Sequence, residues 1–409
     1  MAVITVWKPV ENAGVTYPEG FVGASVRAGL KSAGEDLALI VSDSAATVAG
    51  VFTTNFVQAA CVRWSRRVVR RGTARALLVN AGNANACNGE RGEADNRTLA
   101  EWVSRHLRLA PDAVLTASTG IIGHPLPMDR MERGIAAAVA ALDRNEQTDP
   151  GIARAIMTTD TRPKLYAVHV DSDQWVAPIR IGGCCKGAGM IAPNMATMLA
   201  FLSTDARLPA DLLQRALERA VSRSFHCVTV DGDTSTNDMC LLLASGMGQG
   251  EISREGPGFE DFVEALTRVS VVLAREIARD GEGATKLVEV TVHNALTYEG
   301  AHRIAKTIAE SPLVKTALFG NDPNWGRLLM AAGRAGVPFD PERVTARIGE
   351  QVVFQHGSGV PFDRQMAHTY LQRPEVTLLL DLNAGEESAT VWTCDYSYDY
   401  IRINAEYST

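Results

Sequence analysis

Strand-length apolar runs alternate with amphipathic helical segments along this whole chain, and that alternation constrains the fold more than any other feature. The runs fall at residues 37–41, 48–53, 76–79 and 114–117, and again at 198–203, 288–292, 376–382 and 390–393. Between them, residues 129–142 pair an alanine-rich apolar face with a polar one. Asp149 and Pro150 supply a cap and a first-turn proline for a helix over 151–158. Leu212, Leu213, Ala216, Leu217 and Ala220 repeat at helical spacing within 209–223. Residues 259–279 read as a long amphipathic helix ending at Asp280 and Gly281, and a further helix starts near Trp325 and stops at Gly336 and Pro338. This mixture predicts an α/β or α+β protein. The polar stretch 143–149 and the loop 246–258 are the weakest joints, and neither marks a firm domain boundary.

A length of 409 residues suggests two or three domains, at roughly 150 residues each. With 46% hydrophobic and 21% charged residues, the chain is neither disordered nor fibrous. Its net charge of -7 and lack of a basic block argue against a nucleic-acid surface. The densest basic run, Arg66, Arg67, Arg70 and Arg71, reads as a solvated helix end. Lys8 interrupts the first apolar run and no basic segment precedes it, so no signal peptide is expected. No run approaches the ~18 apolar residues of a membrane-spanning helix. The seven cysteines are scattered without CxxC spacing, which suggests neither a zinc cage nor a disulfide framework. The vicinal Cys184 and Cys185 read as buried small hydrophobes. A reducing cytoplasm is the expected location.

Common catalytic constellations fail. None of the eight histidines stands in a metal-ligand spacing, and no GxSxG elbow exists. The glycines at 246, 248 and 250 lack dinucleotide-loop spacing and read as a turn. Between Gly182 and Gly187 the spacing is that of a phosphate loop, but Lys186 precedes the second glycine instead of following it. Asp231, Asp233 and Asp238 lack the glycine and terminal glutamate of a calcium loop, so no metal is expected.

One segment, residues 185–205, carries chemistry. A glycine-rich loop runs through Gly187 and Gly189 into Pro193-Asn194, and Ala196-Thr197 then opens an apolar strand. A small residue followed by threonine, on a loop before a rigid strand, suits self-cleavage. The hydroxyl attacks the preceding carbonyl, and hydrolysis of the ester frees an N-terminal threonine. Such a residue carries its own base, because an α-amine has a pKa of about 7.7–8.0.

Lys-Gly-Ala-Gly-Met-Ile-Ala-Pro-Asn-Met-Ala-Thr-Met-Leu at 186–199 resembles the self-cleavage motif of the ornithine acetyltransferase family, the glutamate N-acetyltransferases of arginine biosynthesis. The resemblance continues, in order, through residues 29–30, 36–40, 49–55, 80–87, 118–123, 158–161, 231–238, 280–286, 320–327 and 403–409. It implies an α+β fold with layered αββα packing, a smaller C-terminal domain and a self-processed N-terminal nucleophile. Cleavage between Ala196 and Thr197 would divide the chain into an α chain, 1–196, and a β chain, 197–409. The pieces are expected to stay together as an α2β2 heterotetramer.

The same resemblance implies roles. Thr197 matches the nucleophile, and Thr119 with Gly120 the oxyanion hole. Thr158, Lys186, Glu282, Asn404 and Thr409 match substrate-binding positions, with Thr159 an alternative to Thr158. The substrates implied are N-acetylornithine and glutamate. Their carboxylates suit Lys186 and hydroxyl or amide donors, and an amine suits Glu282. No cofactor is implied, although some members also use acetyl-CoA as a co-substrate, and no residue here decides between the two types. Two other classes stay open. One is a hydrolase or aminopeptidase with the same nucleophile, or a paralogue of an antibiotic pathway with another acyl acceptor. The other is a non-catalytic binding protein, which a missing nucleophile or a broken oxyanion pair would favour.

Overall fold

A computed structural model describes residues 4–191 and 198–406. Nine strands form the first sheet: β1 (Ile4–Val10), β2 (Phe21–Val26), β3 (Leu37–Phe52), β4 (Thr73–Asn83), β5 (Val114–Ile121), β6 (Lys164–Ser172), β7 (Ile179–Lys186), β8 (Leu199–Thr204) and β9 (Met239–Ala244). Their order is β1-β6-β7-β8-β9-β3-β4-β5, with β2 also on β3. The two apolar runs 37–41 and 48–53 are one strand, not two. The polar Ser42, Asp43 and Ser44 hide its continuity, and its ladder with β4 shifts register between Val41 and Ala46. The first part of β3 pairs with β2 and its last part with β9. One long strand therefore serves two sheet halves, β2–β5 and β6–β9.

Period-two alternation sorts the side chains of each half into layers. Leu77, Val79, Leu115 and Ala117 from one half share a core with Leu199, Phe201, Leu241 and Leu243 from the other. On the outer face of the first half, Leu37, Leu39, Ala76 and Leu78 meet helices α2 (Gly89–Leu107) and α3 (Met128–Ala140). On the outer face of the second, Ala200, Leu202, Cys240 and Leu242 meet α5 (Ala210–Ser222) and α6 (Pro257–Arg279). This is the expected αββα layering. Helices α1 (Ala60–Val69) and α4 (Thr148–Ala155) add to the inner layer, and α4 touches strands of both halves. Fully burying each such Leu or Phe contributes about 1.5–3 kcal/mol.

The smaller C-terminal domain holds a six-stranded sheet: β10 (Leu287–Ala295), β11 (Thr345–Ile348), β12 (Gln351–Gln355), β13 (Ser358–Gly359), β14 (Glu375–Asp381) and β15 (Glu387–Cys394). Its helices are α7 (Tyr298–Ala309), α8 (Pro312–Phe319), α9 (Trp325–Gly333), α10 (Arg364–Leu371) and α11 (Tyr398–Glu406). This second sheet begins after α6; residues 143–149 run into α4, and the loop 246–258 joins β9 to α6.

Helix α4 starts at Thr148 and ends at Ala155, earlier at both ends than the pattern predicts. The Asp149 carboxylate does not cap it, because it accepts from the N–H groups of Gly14 (2.6 Å) and Thr16 (2.8 Å). Just past the other end the Lys31 ammonium donates to the Met157 carbonyl at 3.1 Å. Lys31 belongs to a loop wound around the buried Asp36, whose carboxylate accepts the N–H groups of Ala28, Gly29, Leu30 and Lys31. Replacing Asp36 with Ala strands these donors. Asp36→Ala is expected to lose about 3 kcal/mol of stability in urea unfolding, with Asp36→Asn falling between it and the wild type. An unchanged midpoint for Asp36→Ala would rule out this anchoring.

Candidate active site

The ends of several elements meet at one cavity of about 220 Å³ between the sheet halves. Thr119 and Gly120 close β5, and Lys186 closes β7. Thr158 and Thr159 follow α4, Glu282 follows α6, and Asn404 rides on α11. All seven line the cavity, together with Gly189, Asp231, Asn237 and Tyr400. Both threonines face it, so the choice between Thr158 and Thr159 stays open. Ala196, Thr197 and Thr409 lie outside the described residues. Met198, the described residue next to Thr197, is held by Met239 N–H donating to its carbonyl at 3.2 Å.

Gly120 has φ +125°, which favours glycine, and it lies directly against the Gly82–Asn83 backbone of β4. A Cβ there would overlap that backbone, so only glycine keeps the turn. The turn is fixed from the other sheet half as well. Asn237, just before β9, donates through Nδ2 to the carbonyls of Ala84 (2.7 Å) and Ser118 (2.8 Å). Asn83 and Asn85 build the neighbouring loop: Asn83 Oδ1 accepts from Asn85 N–H, and Asn85 Nδ2 donates to the Gly92 carbonyl.

Lys186 is buried, and its Nζ donates to Thr119 Oγ1 at 3.2 Å. The hydroxyl accepts this bond, so its own proton is left to donate into the cavity. Burial pushes the Lys186 ammonium below the usual lysine range, while Asp160 pulls it back up. Glu282 is also buried. Its Oε2 accepts from Asn404 Nδ2 at 2.8 Å, and its N–H donates to the Ala188 carbonyl at 2.8 Å. Gly189 passes so close to this carboxylate that any Cβ would overlap it. The cavity thus has a cationic wall at Lys186 and an acidic one at Glu282 and Asp231.

Beneath the cavity lies a charge cluster that sequence reading did not single out. Lys164 Nζ sits 2.6 Å from Asp160 and 2.5 Å from Asp280, with the lysine side chain sealed from solvent. Asp160 also accepts the N–H groups of Gly187 (2.7 Å) and Thr158 (3.0 Å), and Asp280 holds Thr161. Burial alone would raise the Asp160 carboxyl. The ammonium groups of Lys164 and Lys186 outweigh it and hold the carboxyl at about 2. The signal in the sequence was Asp160, two residues past Thr158, and Asp280, two before Glu282. Asp231 was set aside as a failed calcium loop. It accepts instead from the N–H groups of Met190 (2.6 Å) and Ile191 (2.7 Å) and fixes the glycine-rich loop.

The ArgJ family profile matches residues 23–409. The arginine biosynthesis bifunctional protein ArgJ of Symbiobacterium thermophilum is 47% identical over 400 residues, covering 97% of this chain and 98% of that protein. The arginine biosynthesis bifunctional protein ArgJ 1 of a Nostoc species is 46% identical over 418 residues, covering 98% of this chain and 99% of its own. Among solved structures, the arginine biosynthesis bifunctional protein of Bacillus halodurans is 42% identical with a TM-score of 0.50. It covers 52% of this chain and 100% of the solved chain. The protein belongs to the ArgJ family.

The depressed Asp160 carboxyl gives stability that is fully present above its unfolded value of about 3.9. That stability is lost as pH falls through about 2. Asp160→Asn is therefore expected to cost about 3 kcal/mol at pH 7, because it breaks a buried pair. The gap to wild type should close between pH ~4 and ~2. Urea unfolding across this range measures it, and a pH-independent gap would contradict the ionic account.

Proposed function

We propose that this protein is a self-cleaving acetyltransferase that moves an acetyl group from N-acetylornithine to glutamate through an acetyl ester of Thr197. The convergence of Thr119, Gly120, Lys186, Glu282 and Asn404 on one cavity carries this reading. The cavity suits an amino acid with a charge at each end. Lys186 meets the carboxylate, while Glu282, steadied by Asn404, meets the amine. Thr158 or Thr159 and Thr409 complete the hold.

The free α-amine of Thr197 takes the proton from its own hydroxyl, and the oxygen attacks the acetyl carbonyl. The Thr119 hydroxyl and the Gly120 N–H receive the developing oxyanion. Removing one such donor typically costs about 2.7–4 kcal/mol of transition-state stabilisation. The tetrahedral intermediate collapses, and ornithine leaves with the proton held by the α-ammonium. Glutamate's amine then attacks the acetyl ester, and N-acetylglutamate departs. The exchange needs no cofactor. Relatives that share nearly the whole length carry the name bifunctional, which supports acetyl-CoA as a second acetyl donor.

Cleavage between Ala196 and Thr197 leaves a β chain of 213 residues, 52% of 409. The solved Bacillus halodurans chain corresponds in its entirety to the same share of this protein, which supports a family of half-length chains. An α2β2 assembly in the cytoplasm completes the reading. No helix among the described residues is long and apolar enough to cross a membrane.

Purified protein should run as two fragments of similar size on a denaturing gel, and Thr197→Ala as one band. Two fragments from Thr197→Ala would remove Thr197 as the nucleophile. Thr119→Ala is expected to lower kcat for acetyl transfer about 10²-fold, with KM changed little. Release of acetate without dependence on glutamate would mark a hydrolase instead.

A further inference from the structure

The two amino acids of the proposed exchange differ most at one end. In N-acetylornithine the free amine ends the side chain, while glutamate carries a second carboxylate there. Both must bring the α-nitrogen to the point of acetyl transfer and the α-carboxylate to Lys186. Both side chains therefore run to the same end of the cavity. Among the described residues that line it, Lys186 is the single cation, against the carboxylates of Asp231, Asp233 and Glu282. That end suits an ammonium. A carboxylate arriving there meets like charge, and hydrogen-bond donors must offset the cost of burying it.

Helix α11 brings two donors to this end. Tyr400 and Asn404 are four residues apart, so they share one face of the helix, and both line the cavity. The Asn404 amide is committed twice, through Nδ2 to Glu282 Oε2 at 2.8 Å and to the Tyr400 carbonyl at 3.0 Å. The Tyr400 hydroxyl donates to the Asp231 carboxylate. Burial, with Asp231 and Glu282 close by, pushes this hydroxyl above the usual tyrosine range, so it keeps its proton. Asp231 does not depend on the bond, because the N–H groups of Met190 and Ile191 already donate to its two oxygens. The hydroxyl hydrogen can therefore turn to another acceptor with no heavy atom moving.

The ring itself is fixed. It stacks on Tyr396 with centroids 4.7 Å apart and planes at 16°, and the buried Lys315 ammonium sits 4.5 Å from the Tyr396 centroid. The start of α11 is clamped to the segment that carries Glu282. Ser397 Oγ donates to the Gly283 carbonyl, and a Cβ on Gly283 would overlap the Tyr400 backbone nitrogen. A hydroxyl on a fixed ring, free only in its hydrogen, is a preorganised donor.

We propose that the Tyr400 hydroxyl reads the side-chain carboxylate of glutamate, while Glu282 and Asp231 read the side-chain ammonium of ornithine. The inference rests on the transferase reading above. One cavity thereby serves two side chains of opposite charge. With ornithine bound the hydroxyl stays on Asp231, and with glutamate bound it turns to the ligand.

The test compares wild type with Tyr400→Phe, which keeps the ring stack and removes the hydroxyl. In a double-displacement exchange, kcat/KM for each substrate reports its own half-reaction. In the forward exchange kcat/KM for glutamate should fall about tenfold, as loss of one hydrogen bond to a charged group does. That for N-acetylornithine should stay unchanged, which also reports that the variant folds. In the reverse exchange the loss should follow the carboxylate to N-acetylglutamate and spare ornithine. Equal losses for both substrates, no loss, or a loss that follows the second half-reaction in both directions overturns the assignment. Calorimetry of glutamate binding to the unacetylated protein separates the two readings. If wild type transfers acetyl and Tyr400→Phe changes neither the kinetics nor the affinity for glutamate, the Tyr400 role falls and the transferase reading stands. If wild type transfers in neither direction, yet glutamate binds and Tyr400→Phe weakens it about tenfold, the Tyr400 role stands and the transferase reading falls. With neither transfer nor glutamate binding, both fall.

Discussion

The site depends on one buried ion cluster. Lys164, on β6, holds Asp160 and Asp280 at ion-pair distance with no solvent around its side chain. Removing an isolated charge from water costs several kcal/mol, so such a cluster persists only when paired and hydrogen-bonded on every side. Here the lysine has two carboxylates, and Gly187, Thr158 and Thr161 supply donors to them. The geometry has a direct consequence for the cavity. Thr158 is two residues before Asp160, Lys186 is one before Gly187, and Glu282 is two after Asp280. Three cavity residues from distant parts of the chain are thus each tethered within two residues of the same cluster. A cluster of this kind is weak evidence for stability. It is a strong constraint on position, because any shift of one segment leaves a charge unpaired.

The second constraint is the length of β3. A strand of this length rises about 3.3 Å per residue, so it can leave one sheet half and enter the other. The halves then stack, and the end of β5 comes to face the end of β7. The bond from Lys186 to Thr119 and the two bonds from Asn237 are the links across that gap. The Thr119–Gly120 segment, the proposed oxyanion hole, is therefore held by its own sheet through the Gly82 contact and by the opposite sheet through side chains. That double hold is what preorganised donors require, since a donor free to turn toward water loses most of its worth.

Much of this was legible in the sequence, for identifiable reasons. Helices α3, α5, α6 and α9 follow from their periodicity and stop signals, because one apolar face is all they need. Glu282 and Asn404, 122 residues apart, were found through motif resemblance, and no local pattern would have joined them. The continuity of β3 was not legible, since three polar residues in mid-strand look like a turn. The start of α4 was misread because Asp149 has the chemistry of a cap and is spent on the backbone of the loop at Gly14 and Thr16. Lys164, Asp160 and Asp280 looked like ordinary charges. Burial turns such residues into a constraint, and burial is a property of the packed chain.

The sheet order bears on what self-cleavage would do. Read across the sheet, β7 belongs to the segment before residue 196, β8 and β9 to the segment after it, and β3 again to the segment before. The later segment is thus inserted between two strands of the earlier one, through the ladders β7–β8 and β3–β9. Both ladders lie over buried apolar side chains on each face. Separating the pieces would open two ladders and expose the inner layer and the α5–α6 layer together. Cutting one peptide bond offsets none of that cost. The new terminus would begin one residue before Met198, whose carbonyl is already held by Met239. Cleavage at this place frees an amine and leaves its strand where it was. A nucleophile made by breaking its own chain needs that property.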